Sequence, residues 1–534
     1  MIRSTMPHVA LSVNHLLERA GRLFPQSEIV SRMPDKSLVR HSNAELYRRA
    51  RQLAAALLEA GLKKGDRVAT LCWNHYAHLE CYFGIPAAGG VMHTLNLRLS
   101  PDEIAWIANH ACDRFLVVDD VLLPLLERFR AAAKLERILV VPLSGAPVKA
   151  PDLSYEVFIE RAPKDFVYVA HDEDDAVSMC YTSGTTGRPK GVVYSHRSTL
   201  LHTLAVGATA SCAIRGGDTV CPVVPMFHAN AWGMPYCCAM VGARLVLPGP
   251  HLAPADLIEL FNSEKVTIAF GVPTIWLGIL QLLDSDPQHH RLPSGMRMLI
   301  GGAALPEAVV RGFARHGAQV VVGWGMTETS PVASVSGSKA ELLEIDEDER
   351  FRRAAMAGVP LPLIEARLVG EDGSERPWDG VSLGELQVRG PFVTGGYHEM
   401  PFDVEKFTAD GFLRTGDVAA IDPHAFVRIA DRIKDLVKSG GEWISSVDME
   451  GHLMAHAAIL EAAVIAMPDP KWGERPLACV VLKPGARATA DELRQHLAPH
   501  FASWQLPERI EFIEAIPRTS TGKFWKAKLR ERYR

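Results

Sequence analysis

The chain has 534 residues, 48% of them hydrophobic and 22% charged, with a formal net charge of −5 at pH 7. That length exceeds what a single hydrophobic core serves, so two or more domains are expected, and the slight acidic balance argues against a dedicated nucleic-acid binder. Nine scattered cysteines with no C-x-x-C pair suggest neither a zinc framework nor a disulfide scaffold, and point to reduced thiols in a cytoplasm.

The opening stretch "MIRSTMPHVALSVNHLLERAGRLF" lacks the uninterrupted apolar core of a signal peptide. Val13, Leu16, Leu17, Ala20, Leu23 and Phe24 recur instead at helical spacing and predict an amphipathic helix. "SNAELYRRARQLAAALLEAGL" predicts a helix opening at Ser42 or Asn43 and closing at Gly61, with "DRVATLCW" as the buried strand after it. "LSPDEIAWIANHA" starts a further helix, with Ser100 as cap, Pro101 in the first position and Glu103 closing a capping box. The strand "RFLVVDD" follows. Such alternation implies parallel sheets wrapped by helices.

Residues 180–191, "CYTSGTTGRPKG", crowd glycines, hydroxyls, Arg188 and Lys190 into one short stretch. Backbone N–H groups, hydroxyls and cations together suit an anion. The P-loop spacing G-x-x-x-x-G-K-[ST] fails, because Pro189 follows Gly184 by five residues and Val192 follows Gly187 by five. The context fails too, since "VSMCYTS" and "GVVYS" are strand-like on both sides and a helix begins only after Ser195. A glycine-rich hairpin turn explains the glycines but not the hydroxyls and cations.

Beyond it, "PMFHANAWG" places His228 and Trp232 four residues apart after a proline-bounded strand. The most apolar run, around 232–247, is broken by Pro235, Gly242 and Arg244, so no transmembrane anchor is expected. "MRMLI", "PEAVVRGFARH" and "AQVVVG" read as strand, helix and strand, leaving the turns 301–304 and 323–330 at strand carboxyl ends, where open α/β sheets bind ligands. After Pro377 the short strands "GELQVRG", "DGFLRTGD" and "FVRIADR" suggest a small antiparallel barrel. A final stretch with a helix at 447–456, strands "EAAVIAMP" and "PLACVVLK" and a helix from Asp491 is enough for a small α+β domain, with its boundary near 431–434.

Taken together, "YTSGTTGRPKGVVYSH", "PMFHANAWG", "GGAALP", "GWGMTETSP", "RTGD", "DRIKDLVKSGGEWIS" and "PRTSTGK" resemble, in order, the signature motifs of the adenylate-forming superfamily. The resemblance covers nearly the whole chain. In its details it is similar to bacterial fatty-acyl-CoA synthetases and 3-methylthiopropionate-CoA ligases. It implies an α/β protein: a large N-terminal domain (1–431) of helix-wrapped, mostly parallel sheets with a small β-barrel subdomain, a hinge (432–434), and a small mobile α+β C-terminal domain (435–534).

The resemblance also assigns roles. Thr182, Ser183, Gly184, Thr185, Thr186, Gly187 and Lys190 would cradle the β- and γ-phosphates of ATP. Glu328, with Thr182, would hold Mg2+, and a single carboxylate suffices because magnesium keeps several waters. Thr327 would bond the α-phosphate, and Trp324 would stack on adenine, whose amine meets backbone carbonyls of Gly302, Ala303 and Ala304. Gly323, Gly325 and Met326 complete that wall. Asp417 would accept the ribose hydroxyls, with Arg432 beside it. Lys523 would bridge the attacking carboxylate and the α-phosphate. His228, Trp232, Val272, Pro273 and Gly302 would line the acyl pocket, with Trp232 gating it and His228 beside the acyl carboxylate as a catalytic candidate along with Lys523, Glu328 and Thr182. Lys434 would be the pivot of a domain rotation that withdraws Lys523 and presents Lys438, Ser439, Gly440, Gly441, Glu442 and Trp443 to coenzyme A.

The expected activity is an ATP- and magnesium-dependent ligase joining a medium- or long-chain fatty acid to CoA. A short acid such as 3-methylthiopropionate, or a stand-alone module loading a carrier protein, stays open. A luciferase-like oxygenase and a catalytically dead nucleotide-binding regulator are disfavoured, the latter because Lys523, Glu328 and Asp417 are all present. The expected partners are the acid, ATP and CoA, and a homodimer stays open.

Overall fold

The computed structural model describes residues 4–163, 165–182, 188–208, 211–337, 339, 344–439, 442–519 and 523–533, without the side chain of Glu442. They fall into two compact units. One comprises Met1–Phe270, Gly325–Val332 and Pro391–Phe402, the other Gly271–Trp324, Ala333–Gly390 and Asp403–Arg534.

The first unit is built on parallel strands whose two faces are both covered by helices. Arg67–Leu71, Val91–Thr94, Asp113–Asp119 and Arg137–Val141 lie parallel in one seven-stranded sheet, and most of their residues are buried. Parallel strands covered on both faces read as continuous apolar runs, which is why "RFLVVDD" was legible without alternation. The helix Asn43–Glu59 begins in a capping box of Ser42 and Glu45, and Pro101–His110 in one of Ser100 and Glu103, as their sequences predict. The N-terminal helix Asn14–Leu23 buries Leu16, Leu17 and Ala20, while Leu23 is exposed.

At one edge of this sheet the pattern changes. Ala176–Tyr181 lies parallel to Val91–Thr94 but antiparallel to Gly191–Ser195, with Tyr181 opposite Gly191. This hairpin carries the stretch 182–190 at its tip. Ser195 then caps the helix His196–Gly207 through its hydroxyl and Ser198. A second group of strands in the same unit, Glu28–Arg32, Thr219–Pro222 and Arg244–Leu247, is also parallel.

In the second unit the predicted strand–helix–strand is present. Arg297–Gly301 and Gln319–Gly325 pair in parallel with Gly301 opposite Gly323, joined through the helix Glu307–Arg315. The expected barrel is realised as a four-stranded antiparallel meander of Glu365–Val369, Gly384–Arg389, Leu413–Ile421 and Val427–Arg432. Four strands are too few to close around a core of side chains. Its last two strands hold Asp417 opposite Arg432.

The C-terminal stretch forms a five-stranded sheet covered on both faces. The helices Ser446–Ala455 and Ala490–Leu497 pack Met449, Leu453, Leu493 and Leu497 on one side, and Leu529 of the helix Lys526–Tyr533 joins Ala463, Ile465 and Cys479 on the other. The residues expected as hinge, 432–434, lie inside the second unit. All nine cysteines are free thiols. No helix of the described residues is long and apolar enough to cross a membrane.

Candidate functional site

In the first unit, the tip of the edge hairpin is held by the backbone of Thr182 donating to Lys190 and by the Thr182 hydroxyl accepting from the Lys190 N–H at 3.0 Å. Ser183, Gly184, Thr185, Thr186 and Gly187 lie outside the described residues. The Lys190 ammonium sits 4.6 Å from the centre of the Tyr397 ring. The Tyr397 hydroxyl donates to Glu328 Oε1 at 2.8 Å, and Glu328 is buried. Three further bonds fix the short turn that carries Glu328. Tyr194 donates to the Thr327 carbonyl at 2.7 Å, the Thr394 N–H donates to the Glu328 carbonyl, and the Val332 N–H donates to His202 Nε2 at 3.2 Å. Burial holds the His202 pKa down to about 3, so the ring stays neutral and able to accept.

Tyr397, Tyr194 and His202 were not singled out from the sequence. Each lies at least about 65 residues from what it holds, and long-range pairing leaves no local pattern. The run "TGGYHEMP", with Tyr397 after two glycines, was the one signal that could have drawn attention to it.

His228 and Trp232 flank an unusual turn. Ala229, Asn230, Ala231 and Trp232 all have left-handed backbone, with φ between 43° and 57°, and Gly233 follows at 79°. A left-handed helical residue costs roughly 1–2 kcal/mol for L-residues other than Asn and Asp, so neighbouring contacts must hold this run at Ala229, Ala231 and Trp232. Asn230 supplies them: its amide donates to Ser178 Oγ at 2.8 Å, and its carbonyl oxygen accepts from the Cys180 thiol. The turn bearing Trp232 is thereby tied to the strand that leads into the hairpin tip. Trp232 is buried, and His228 is half-buried.

In the second unit a polar cluster forms around Asp417. The Trp324 indole N–H donates to Asp417 Oδ2 at 2.8 Å, and Arg432 Nε faces Oδ1 at 3.2 Å. Asp417 is buried while Arg432 is largely exposed. Gly302 follows the strand Arg297–Gly301 with φ 91°, a conformation suited to glycine. A Cβ at Gly302 would lie 3.5 Å from Lys523 Cε and 3.6 Å from Val272 Cγ1. Lys523 itself closes a small hairpin, its N–H donating to Thr519 Oγ1 and its carbonyl accepting from the Thr519 N–H. Gly302, Val272 and Lys523 therefore meet, although some 220 residues of sequence separate Gly302 from Lys523.

The other predicted positions divide clearly. Gly323 is buried, Gly325, Met326 and Thr327 are half-buried, and Ala303 and Ala304 are exposed beside Gly302. Pro273 opens the helix Pro273–Ser285 behind Val272. Lys438 and Trp443 lie opposite each other on paired strands, with the ammonium 5.1 Å from the indole. Ser439 is buried and accepts from Arg475. Gly440, Gly441 and the Glu442 side chain lie outside the described residues. Lys434 is exposed in the turn that Arg432 closes with Asp435.

Comparison with known proteins agrees over the full length. Residues 17–398 match the AMP-binding enzyme family, and residues 448–523 match the AMP-binding enzyme C-terminal domain. The chain is 48% identical over 533 residues to a long-chain-fatty-acid–CoA ligase of Thermus thermophilus, covering 99% of this chain and 97% of the relative. It is 42% identical to a 3-methylmercaptopropionyl-CoA ligase of Ruegeria lacuscaerulensis, covering 98% and 97%. Among solved structures, it is similar to the anthranilate CoA ligase AuaEII in complex with anthranoyl-AMP, with a TM-score of 0.88, 26% identity and coverage of 100% and 99%.

Proposed function

The chain belongs to the AMP-binding enzyme family, and from that premise we propose that it activates a medium- or long-chain fatty acid as an acyl-adenylate and passes the acyl group to CoA. Its class is that of an acid–thiol ligase. A carboxylate resists nucleophiles because it is negatively charged and has no good leaving group. In the proposed first step a carboxylate oxygen bonds to the α-phosphorus of ATP as the bond to pyrophosphate breaks. In the second, the CoA sulfur bonds to the acyl carbon and AMP leaves.

The observation that carries this reading is the meeting of Lys523 with Gly302 and Val272. The Lys523 side chain thereby lies at the turn where acid and nucleotide would join, and stabilising developing charge is most of what a protein can contribute to such a transfer. The Trp324–Asp417–Arg432 cluster supports nucleotide binding, with Asp417 accepting ribose hydroxyls and Arg432 offering a cation. The separation of the two family matches, at 398 and 448, is consistent with a hinge at 432–434. Lys438 and Trp443 would then face CoA in the second step.

The oxygen-donor set of a buried Glu328 carboxylate and the Thr182 hydroxyl fits a hard cation. These residues would hold magnesium, which would neutralise charge on the phosphates when bound. Tyr397, by occupying one Glu328 oxygen, fixes how the carboxylate is presented.

A short acid is the second reading, and the likeness to the 3-methylmercaptopropionyl-CoA ligase favours it. A panel of acids of increasing length, assayed by AMP release with and without CoA, separates the two. Optimal turnover on acids of medium or long chain, dependent on CoA, is expected. An optimum at a three- or four-carbon acid would select the second reading, and turnover only with a carrier protein would select a different thiol acceptor.

The same panel in Trp232→Ala tests the acyl pocket. Because Trp232 is buried, truncation should also cost on the order of 3–5 kcal/mol of stability, so folded enzyme must be compared. A wall residue should change the long-to-short ratio of kcat/KM by roughly tenfold, since each methylene in an apolar pocket is worth about 1–3 kcal/mol. An unchanged ratio would make Trp232 a packing residue only.

A further inference from the structure

Three residues after Lys523, Lys526 opens the C-terminal helix with its ammonium buried. Its Nζ lies 2.6 Å from Glu450 Oε1 and 2.6 Å from Ser446 Oγ, and both lysine and glutamate side chains are only 10% exposed. Glu450 Oε1 also accepts from the Val464 N–H at 2.7 Å. Glu450, Ser446 and Val464 all belong to the C-terminal stretch, so these contacts bind the Lys523 hairpin to its own domain.

A second set of contacts leaves that domain. Asp431 lies on the strand Val427–Arg432, paired with Val418 of the meander, and is buried. Its Oδ2 accepts from the Ser446 N–H at 2.7 Å, and its Oδ1 from the Arg432 N–H at 2.7 Å. The Lys526 charge acts on it too, opposing the upward push that burial gives the Asp431 carboxyl. Beside it, Ser445 Oγ donates to the Ala430 carbonyl at 2.5 Å, and Arg428 Nη1 donates to Asp448 Oδ2 at 3.4 Å. Ala430, Arg428 and Asp431 precede position 434. Ser445, Ser446, Asp448 and Lys526 follow it. The Ser446–Asp431, Ser445–Ala430 and Arg428–Asp448 bonds thus all span the residue assigned as pivot.

We propose that Asp431, Ser446 and Lys526 form a latch across the pivot that keeps Lys523 at Gly302 for the adenylation step and must open for the thioester step. Lys526 and Asp431 are positioning residues that touch no substrate. The inference rests on the two-step, rotating reading given above. When residues 435–534 turn, Lys526 travels with Ser446 and Glu450, and Asp431 stays with the meander. The Asp431 carboxylate is the fixed jaw. It loses the Ser446 N–H and the nearby ammonium on opening, so neutralising it weakens only the closed arrangement. Arg530, whose Nη1 lies 2.7 Å from Asp435 Oδ1, holds the same helix from the far side of the pivot and moves with it.

The test is Asp431→Asn, with Lys526→Met beside it, each confirmed as folded by its thermal transition. Lys526→Met strands Glu450 in the core and can fail to fold; Asp431→Asn, which keeps size and polarity, then decides alone. Two rates are read: acid-dependent pyrophosphate release without CoA, and acyl-CoA formation from supplied acyl-AMP. The first should fall about tenfold, the weight of one charge-assisted hydrogen bond, and the second should hold or rise. A merely structural role would depress both. Equal loss in both, or no change in either, in folded Asp431→Asn would overturn the latch. Lys523→Ala run in parallel keeps the two ideas separable, because an adenylation-specific loss there with no effect of Asp431→Asn removes the latch and leaves the two-step reading standing.

Discussion

Lys523→Ala is expected to lose acyl-adenylate formation by at least about a hundredfold while forming thioester from supplied acyl-AMP at close to its original rate. The magnitude is that of removing one preorganised charge-stabilising donor from a transition state. The selectivity follows from geometry. The Lys523 side chain extends to Gly302 from a hairpin closed by Thr519, which is where the proposed first step would place the joining oxygen. Once the adenylate exists, the second step breaks the acyl–phosphate bond and has no need of this ammonium. The variant should fold normally, because Lys523 is only half-buried and its backbone makes the hairpin bonds. Loss of both half-reactions in folded protein would contradict a division of labour between two faces of the C-terminal domain.

The opposite pattern is expected of Lys434→Pro. Arg432, Asp435 and Leu436 form the turn around this position, with the Arg432 carbonyl accepting at 2.8 Å from Asp435 and 2.9 Å from Leu436. Both donors survive the substitution, although proline at this place in the turn strains Ile433. Proline fixes its own φ near −65° and biases Ile433 toward extended backbone. If residue 434 is the pivot, as proposed, a backbone restricted in this way would no longer sample both settings, and steps that depend on domain motion would collapse first. Pyrophosphate release should persist, slowed severalfold by the strain on Ile433, while acyl-CoA production falls by two orders of magnitude or about that. Equal damage to both half-reactions would put the pivot elsewhere.

Much of the scaffold was legible because its signals are local. Ser42, Ser100 and Ser195 cap helices at the residues where hydroxyl and downstream partner stand three apart. The strand-like flanks of residues 182–190 do pair, and that antiparallel pairing separates this loop from a P-loop on structural grounds as well as spacing. The parallel pair around Gly301 and Gly323 followed from apolar runs interrupted by a capped helix.

What stayed hidden was of two kinds. Backbone conformation at Ala229–Trp232 carries little sequence signal, because only Asn230 among Ala, Asn, Ala and Trp favours positive φ; the rest of the turn is imposed by Asn230 bonding to Ser178 across 52 residues. Pairings such as Tyr397 with Glu328, Trp324 with Asp417 and Lys526 with Glu450 join segments 69, 93 and 76 residues apart in the numbering. Lys526 in particular reads in sequence as one more cation of a basic tail. Only the folded chain turns it into a buried charge beside Glu450 and Asp431.

The central claim is that a carboxylate oxygen of the acid attacks the α-phosphorus. A single turnover with acid labelled in its carboxylate by oxygen-18, followed by mass analysis of the nucleotide, tests it without reference to any variant. The bond that forms in the first step is the one that stays with AMP in the second, so one labelled oxygen per turnover should appear in AMP and none in pyrophosphate. Label in pyrophosphate or inorganic phosphate, or unlabelled AMP alongside acyl-CoA, would contradict the account.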